Sequence, residues 1–162
     1  MKIDGKSASA MMLAALFVLT LILVPVASAR TTKCYQTIQF NDWGVSGPHP
    51  DHLGENMYWK GTITGDISGD SYYWETNRNY IVGHVEHFFE DFYIDFEDGW
   101  VSGYDYGTWN FATFNFRAHG QITDASENYE YLIGCTFSEE GVTTNPSDGF
   151  PVTGICTCLF KP

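Results

Sequence analysis

The sequence predicts an all-β fold: a single antiparallel eight-stranded barrel of the up-and-down, calycin-like kind. Three observations predict it. No segment after Val26 repeats its apolar residues at helical spacing. Aromatic and β-branched residues dominate instead, punctuated by Gly, Asn and Asp, as in strands joined by tight turns. In Gly61-Thr62-Ile63-Thr64-Gly65-Asp66-Ile67-Ser68-Gly69, one face carries the Gly and Ile residues and the other carries Thr62, Thr64, Asp66 and Ser68. Glycines on the apolar face of a strand leave notches, which suits a sheet that curls until side chains of other strands fill them. Closure also removes exposed edges. A two-sheet sandwich has nearly the same periodicities.

The first element lies outside the fold. Lys2 and Lys6 precede an apolar run, Met11 to Val26, broken by Thr20 and Pro25, and Ala27-Ser28-Ala29 follows. This is the layout of a secretory signal peptide cut before Arg30. The run is shorter than the roughly 20 residues of a spanning helix, which favours cleavage over a retained anchor. The expected organisation is residues 1–29 as signal peptide and 30–162 as barrel. The mature chain is expected to be secreted, extracellular or periplasmic, without stable membrane association.

The strands follow in order. The first spans about Lys33 to Phe40, and a loop rich in Gly, Pro and His leads from Trp43 to Gly54. The second, Met57 to Ser68, contains the notched stretch. Gly69-Asp70 turns the chain into a third, Ser71 to Trp74, which resumes after Asn77-Arg78-Asn79 as Tyr80 to Val85. The fourth, Glu86 to Phe96, is the most aromatic. Glu97-Asp98-Gly99 reverses it into the fifth, Trp100 to Gly107. The sixth, Phe111 to Thr123, has apolar or small even positions and polar odd ones. The seventh, Asn128 to Phe137, carries Tyr129, Tyr131, Ile133, Cys135 and Phe137 on one face. A polar loop, Ser138 to Gly149, precedes the eighth, Val152 to Phe160.

The 162-residue chain has a formal net charge of −12, and losing Lys2, Lys6 and Asp4 with the leader leaves it one unit more negative. A field of that sign repels phosphate backbones, so nucleic acid is not an expected partner. It does not bear on self-association, and a homo-oligomer is compatible with it. The four cysteines, Cys34, Cys135, Cys156 and Cys158, all follow the leader, and an even count in an oxidising compartment reads as up to two disulfides. Cys156 and Cys158 share a strand face, so each is expected to reach another strand, with Cys34 and Cys135 as the available partners. Their spacing is not that of a zinc knuckle.

A resemblance joins these elements. Gly61-Thr62-Ile63-Thr64-Gly65-Asp66-Ile67-Ser68-Gly69 is followed by Glu97-Asp98-Gly99-Trp100-Val101-Ser102-Gly103. Gly120-Gln121-Ile122-Thr123-Asp124-Ala125-Ser126-Glu127-Asn128-Tyr129 comes next, then Leu132-Ile133-Gly134. In this order the segments, spanning roughly Tyr58 to Thr136, resemble the allene oxide cyclase barrel family, which includes the plant dirigent proteins. The resemblance implies an eight-stranded antiparallel barrel with an apolar cavity. Members cyclise or couple small hydrophobic molecules, mostly by shaping them. The matching positions are architectural, and no catalytic motif of the plant enzymes has a counterpart here, so no catalytic residue is carried over.

Chemistry is expected first on the fourth strand. Its even positions are Phe88, Glu90, Phe92, Ile94 and Phe96, and the same parity reaches back to Glu86 and His84. A carboxylate facing an apolar cavity has its pKa raised by desolvation and serves as acid or base near neutrality, so Glu90 and Glu86 are the candidate catalytic residues. A bulge near Glu90 would instead turn it outward, and a place at the barrel mouth would leave it wet. Phe88, Phe92, Tyr104, Tyr106, Phe114, Phe116, Tyr129 and Tyr131 are the expected cavity lining, or else the ordinary core of a small barrel. Arg117 has outward parity.

No metal and no cofactor is assigned. His84 and His87 face opposite sides of a strand, His49 and His52 sit in a loop that would have to fold round an ion, and the acidic run from Glu90 to Asp98 lacks EF-hand spacing. Hydrolase, zincin and phosphate-loop motifs are absent, and Asn145-Pro146-Ser147 is a sequon blocked by its proline. Three functions fit: a secreted barrel binding a small hydrophobic or aromatic molecule, a cyclase- or dirigent-type enzyme, and a structural or surface-interaction barrel with a filled core.

Overall fold

The computed structural model describes residues 32–40, 45–145 and 153–161. The segment expected to be a signal peptide lies outside them. Among the described residues no helix is long and apolar enough to cross a membrane.

The fold is nearly all β, a curled antiparallel sheet. Its strands are β1 (Thr32–Phe40), β2 (Trp59–Gly65), β3 (Gly69–Glu75), β4 (Tyr80–Val82), β5 (Val85–Phe96), β6 (Gly99–Asn110), β7 (Asn115–Ala125), β8 (Thr136–Thr143) and β9 (Thr153–Lys161). They hydrogen-bond in the order β3-β2-β1-β9-β8-β7-β6-β5-β4, and β3 additionally pairs with β5. β3 and β4 lie one after the other along the same edge of β5. Gly69 to Glu75 oppose Phe96 to Glu90, and Tyr80 to Val82 oppose His87 to Val85. The third strand thus breaks at Thr76–Asn79 and resumes at Tyr80 as expected, but it ends at Val82, and Val85 already belongs to β5.

The concave face holds the main core. Phe92, Ile94 and Phe96 of β5 pack with Val101 and Trp109 of β6, Phe116 and Ile122 of β7, and Phe137 of β8. Two glycines admit the largest rings. A side chain at Gly103 would run into Phe92, and one at Gly107 would meet Phe88 and the carbonyl of Arg117. In the notched strand, Gly61 and Ile63 are buried while Thr62 and Thr64 are exposed, and Gly65, at φ +135°, ends the strand. A second, smaller core forms on the convex side. Met57, Trp74 and Tyr93 are buried there beside Tyr72 and Trp100, and His49 meets Trp74 edge-on.

Four expected elements differ. Gly69-Asp70 is not a turn but the start of β3, because β2 ends at Gly65 and the chain reverses over Asp66 to Ser68. Residues 128–137 do not form a strand: Glu127–Leu132 is a short 3-10 helix, and Gly134, at φ +87°, redirects the chain. The supposed loop after Phe137 is β8, which alternates buried Phe137, Glu139 and Thr143 with more exposed neighbours. Residues 111–114 form a turn between β6 and β7. Asn110 Oδ1 accepts hydrogen bonds from the amides of Ala112 (2.8 Å) and Thr113 (3.2 Å), and Phe114 has φ +60°. An Asn side chain that satisfies amides two and three residues on stabilises a turn in preference to a strand.

Candidate functional site

The site is built from strand parity. On β5 the even residues face inward, and the β5–β6 register runs unbroken through Glu90, so no bulge turns it away. Glu90 is directly opposite Asp105 on β6 and Glu75 on β3. Three carboxyl groups therefore stand in a row across three adjacent strands. Glu139 of β8 joins them, and Glu90, Asp105 and Glu139 are 6 %, 3 % and 7 % exposed.

These groups line one cavity with Glu86, and its walls are Ile38, Trp59, Tyr73, Phe88, Trp109, Phe116, Ala118 and Thr143. The space between the walls totals about 500 Å³ with its open mouth, and about 40 Å³ of it is wide enough for water. A water needs about 10–15 Å³ by that measure, so the interior takes on the order of three.

Hydrogen bonds hold part of the cluster. With its amide oriented to satisfy both ends, Gln36 donates through Nε2 to Glu139 Oε1 (2.8 Å) and accepts from Ser71 Oγ (2.8 Å) and the Tyr73 hydroxyl. Trp109 Nε1 donates to Thr143 Oγ1 (2.9 Å). Asp105 Oδ1 is buried and has no hydrogen-bond partner. No Lys, Arg or His is among the cavity's lining residues.

The electrostatics follow. Burial, then repulsion by Asp105, Glu75, Glu139 and Glu86, holds the Glu90 carboxyl well above the usual carboxylate range. Burial and the Glu139 and Asp91 charges do the same to Asp105. Burial and Glu86 push Glu75 up to about 7, against a hydrogen bond from Asn79. Burial raises Glu86. Burial and mutual repulsion thus favour the protonated forms of this row, and groups in such surroundings are suited to donate and accept protons.

The expected site residues separate into groups. Glu90, Glu86, Phe88 and Phe116 line the cavity. Phe92 is fully buried below it, against Phe137 and Tyr73. Tyr104 and Tyr106 do not line it. On β6 the inward residues are Val101, Gly103, Asp105 and Trp109, so the two tyrosines are on the convex face, 40 % and 48 % exposed. Phe114 sits in the β6–β7 turn. Tyr129 packs on Phe96 and donates to Asp98 Oδ1 (2.7 Å), and Tyr131, also on the 3-10 helix, is exposed.

Asp105, Glu75 and Glu139 were missed, although the first had a signal. Val101, Gly103, Asp105, Gly107 and Trp109 recur at period two, with small residues where large rings must fit. Glu139 had none, because inward polar residues made β8 read as a loop.

Other candidates lie elsewhere. Arg117 is exposed on the convex face, 3.8 Å from Glu140. His87 stacks on Tyr80. His52 stacks on Trp74, with Nδ1 2.8 Å from Glu55 and Nε2 3.3 Å from Asp91. His49 Nδ1 accepts from the Asp51 amide, and burial, then His52, lowers its pKa.

No disulfide is seen among the described residues, and the cysteine expectation is corrected in part. The register sets Cys34 opposite Cys158. Cys135 precedes β8, and Cys158 is opposite Glu139. Four residues along a strand is about 13 Å, too far for a disulfide, which needs Cα atoms within about 7 Å. The side chains of Cys156 and Cys158 lie outside the described residues.

No family model, curated protein or solved structure matches this chain.

Proposed function

We propose that this chain is a secreted small-molecule-binding barrel, closed by the β3–β5 pairing and loaded through the mouth between Glu75, Glu86 and Trp59. The observation that carries the reading is the cavity itself, in which aromatic walls surround carboxyl groups that a merely structural core would exclude. Buried ionisable groups are costly and concentrate where a protein binds or reacts. The resemblance to the allene oxide cyclase and dirigent barrels implies a barrel of this kind and adds no residue. Removal of residues 1–29 and an oxidising compartment complete the reading, with Cys34–Cys158 as its disulfide.

The ligand is compact. The space wide enough for water is far below the roughly 300–1,000 Å³ of pockets for drug-sized ligands. A ligand therefore displaces the water and moves partly buried side chains at the mouth, such as Trp59 and Phe88.

A second reading rests on Glu90. A carboxyl held protonated inside an apolar pocket is equipped for general acid–base catalysis of a cyclisation or isomerisation, with exclusion of water supplying the remainder.

Native mass spectrometry of the protein purified from its source tests the first reading, which expects a co-purifying small molecule. No adduct, and no binding of an apolar fluorophore that competes for the cavity, would leave a filled structural barrel. If Glu90→Gln left turnover of an identified substrate intact, the acid–base role would be wrong.

A further inference from the structure

Resting on the reading of the barrel as a binder, we infer that its occupant is a small organic cation, an ammonium group on a compact apolar frame, held by Glu90 and Asp105. Several independent features converge on it. Glu90 and Asp105 are directly opposite each other with inward side chains, and like charges so placed repel. Asp105 Oδ1 is buried, lines the cavity and receives no hydrogen bond. An acceptor in that state destabilises the fold unless a donor arrives.

Among the described residues no cation lines the cavity to answer it. Lys33 and Lys60 are exposed on β1 and β2, Arg78 lies over the Phe89 ring, and Arg117 is outside. An ammonium brings the missing charge and three donors. Trp59, Tyr73 and Trp109 line the same space and suit an apolar frame beside a cation. A hydrated inorganic ion has no use for such walls.

The groups facing this point are all acidic or neutral. β3 contributes Tyr73 and Glu75, β5 contributes Glu86 and Glu90, β6 contributes Asp105, and β8 contributes Glu139. Gln36 of β1 is neutral and already engaged by Glu139 and Ser71. Tyr58 feels Glu75, Glu86 and Glu90, and Asp91 acts on Asp105 from the convex side. Without a ligand the cluster keeps protons to limit its repulsion. An entering ammonium favours the carboxylate forms, so binding releases a proton from the cluster to solvent. Amine affinity therefore rises with pH, and that of a neutral isostere does not.

The test is calorimetric titration of the intact protein with benzylamine and with benzyl alcohol, at about pH 5 and pH 7.5 and in two buffers of different ionisation heat. Benzylamine is expected to bind at least about tenfold more tightly at the higher pH, a difference of about 1.4 kcal/mol. The gap should narrow at the lower pH, and proton release should appear as a buffer-dependent heat. Asp105→Asn, checked for folding by circular dichroism, should lose the preference for the amine over the alcohol, with Glu90→Gln as a second variant.

Equal binding of the two compounds would overturn the cation and leave the binding barrel standing. Full amine preference in both variants would mean attraction by the acidic surface, which also overturns it. A calcium-induced rise in melting temperature with no effect of benzylamine would point to an inorganic ion instead. Failure of both compounds, and of the apolar fluorophore, would sink this inference together with the function it rests on.

Discussion

Glu90 and Asp105 oppose one another across β5 and β6, each more than nine-tenths buried. Two acids so placed make the fold depend on pH in an unusual direction. Their folded-state pKa values are raised, as is that of Glu75. The folded chain therefore binds protons that the unfolded chain has released, and stability falls as pH rises. The contribution is fully present below the unfolded carboxyl range, about 4, and is lost through the range that includes Glu75 at about 7. Thermal melts should show a falling Tm from about pH 5 to pH 8, and Glu90→Gln with Asp105→Asn should flatten the curve. A Tm that rises over that interval would contradict the buried acid row.

The notched strand gives a packing test. A methyl group at Gly61 would strike the carbonyl of Thr37 and come within 2.9 Å of Ile38 Cγ2. Gly61→Ala should cost about 1–3 kcal/mol through overpacking and lower Tm by roughly 5–15 °C. Thr62→Ala, on the exposed face, should lie within about 0.5 kcal/mol of wild type. Chemical denaturation of the two variants measures the difference.

One cavity wall is held by a single donor. Trp109 Nε1 reaches Thr143 Oγ1, whose own hydroxyl reaches the Phe114 carbonyl at 3.3 Å. Thr143→Val strands the buried indole N–H and should cost about 1–3 kcal/mol, while Thr143→Ser should keep most of the bond. Denaturant melts followed by tryptophan fluorescence separate the two.

Secretion predicts a definite cysteine pattern. Non-reducing peptide mapping of protein from an oxidising compartment should link Cys34 to Cys158 and leave Cys135 unlinked, since only the first pair is in register. A Cys135–Cys156 link would refute the β8–β9 register.

β5 was legible residue by residue because its inward face is mostly Phe and Ile, so period two stands out despite Glu90. β8 was not, because Glu139 and Thr143 face inward and serve the cavity and its hydrogen bonds rather than the core. The Tyr129–Cys135 alternation misled for the opposite reason. Its apolar residues alternate like a strand, but Leu132 is the buried residue of a 3-10 helix and Gly134 turns the chain. Sequence reading failed most at the polar interior, where a site departs from the rules of a core. Tyr104 and Tyr106 failed by one residue of parity, enough to move them from cavity to convex surface.

The strand order has a consequence for how the sheet assembles. β9 pairs on one side with β1 and on the other with β8, so two strands far apart in the chain become neighbours only through it. Such long-range pairing costs the most loop-closure entropy and forms late in folding. Docking of β9 is therefore the step that brings Gln36 of β1 within reach of Glu139 on β8 and completes that part of the acid row's hydrogen bonding.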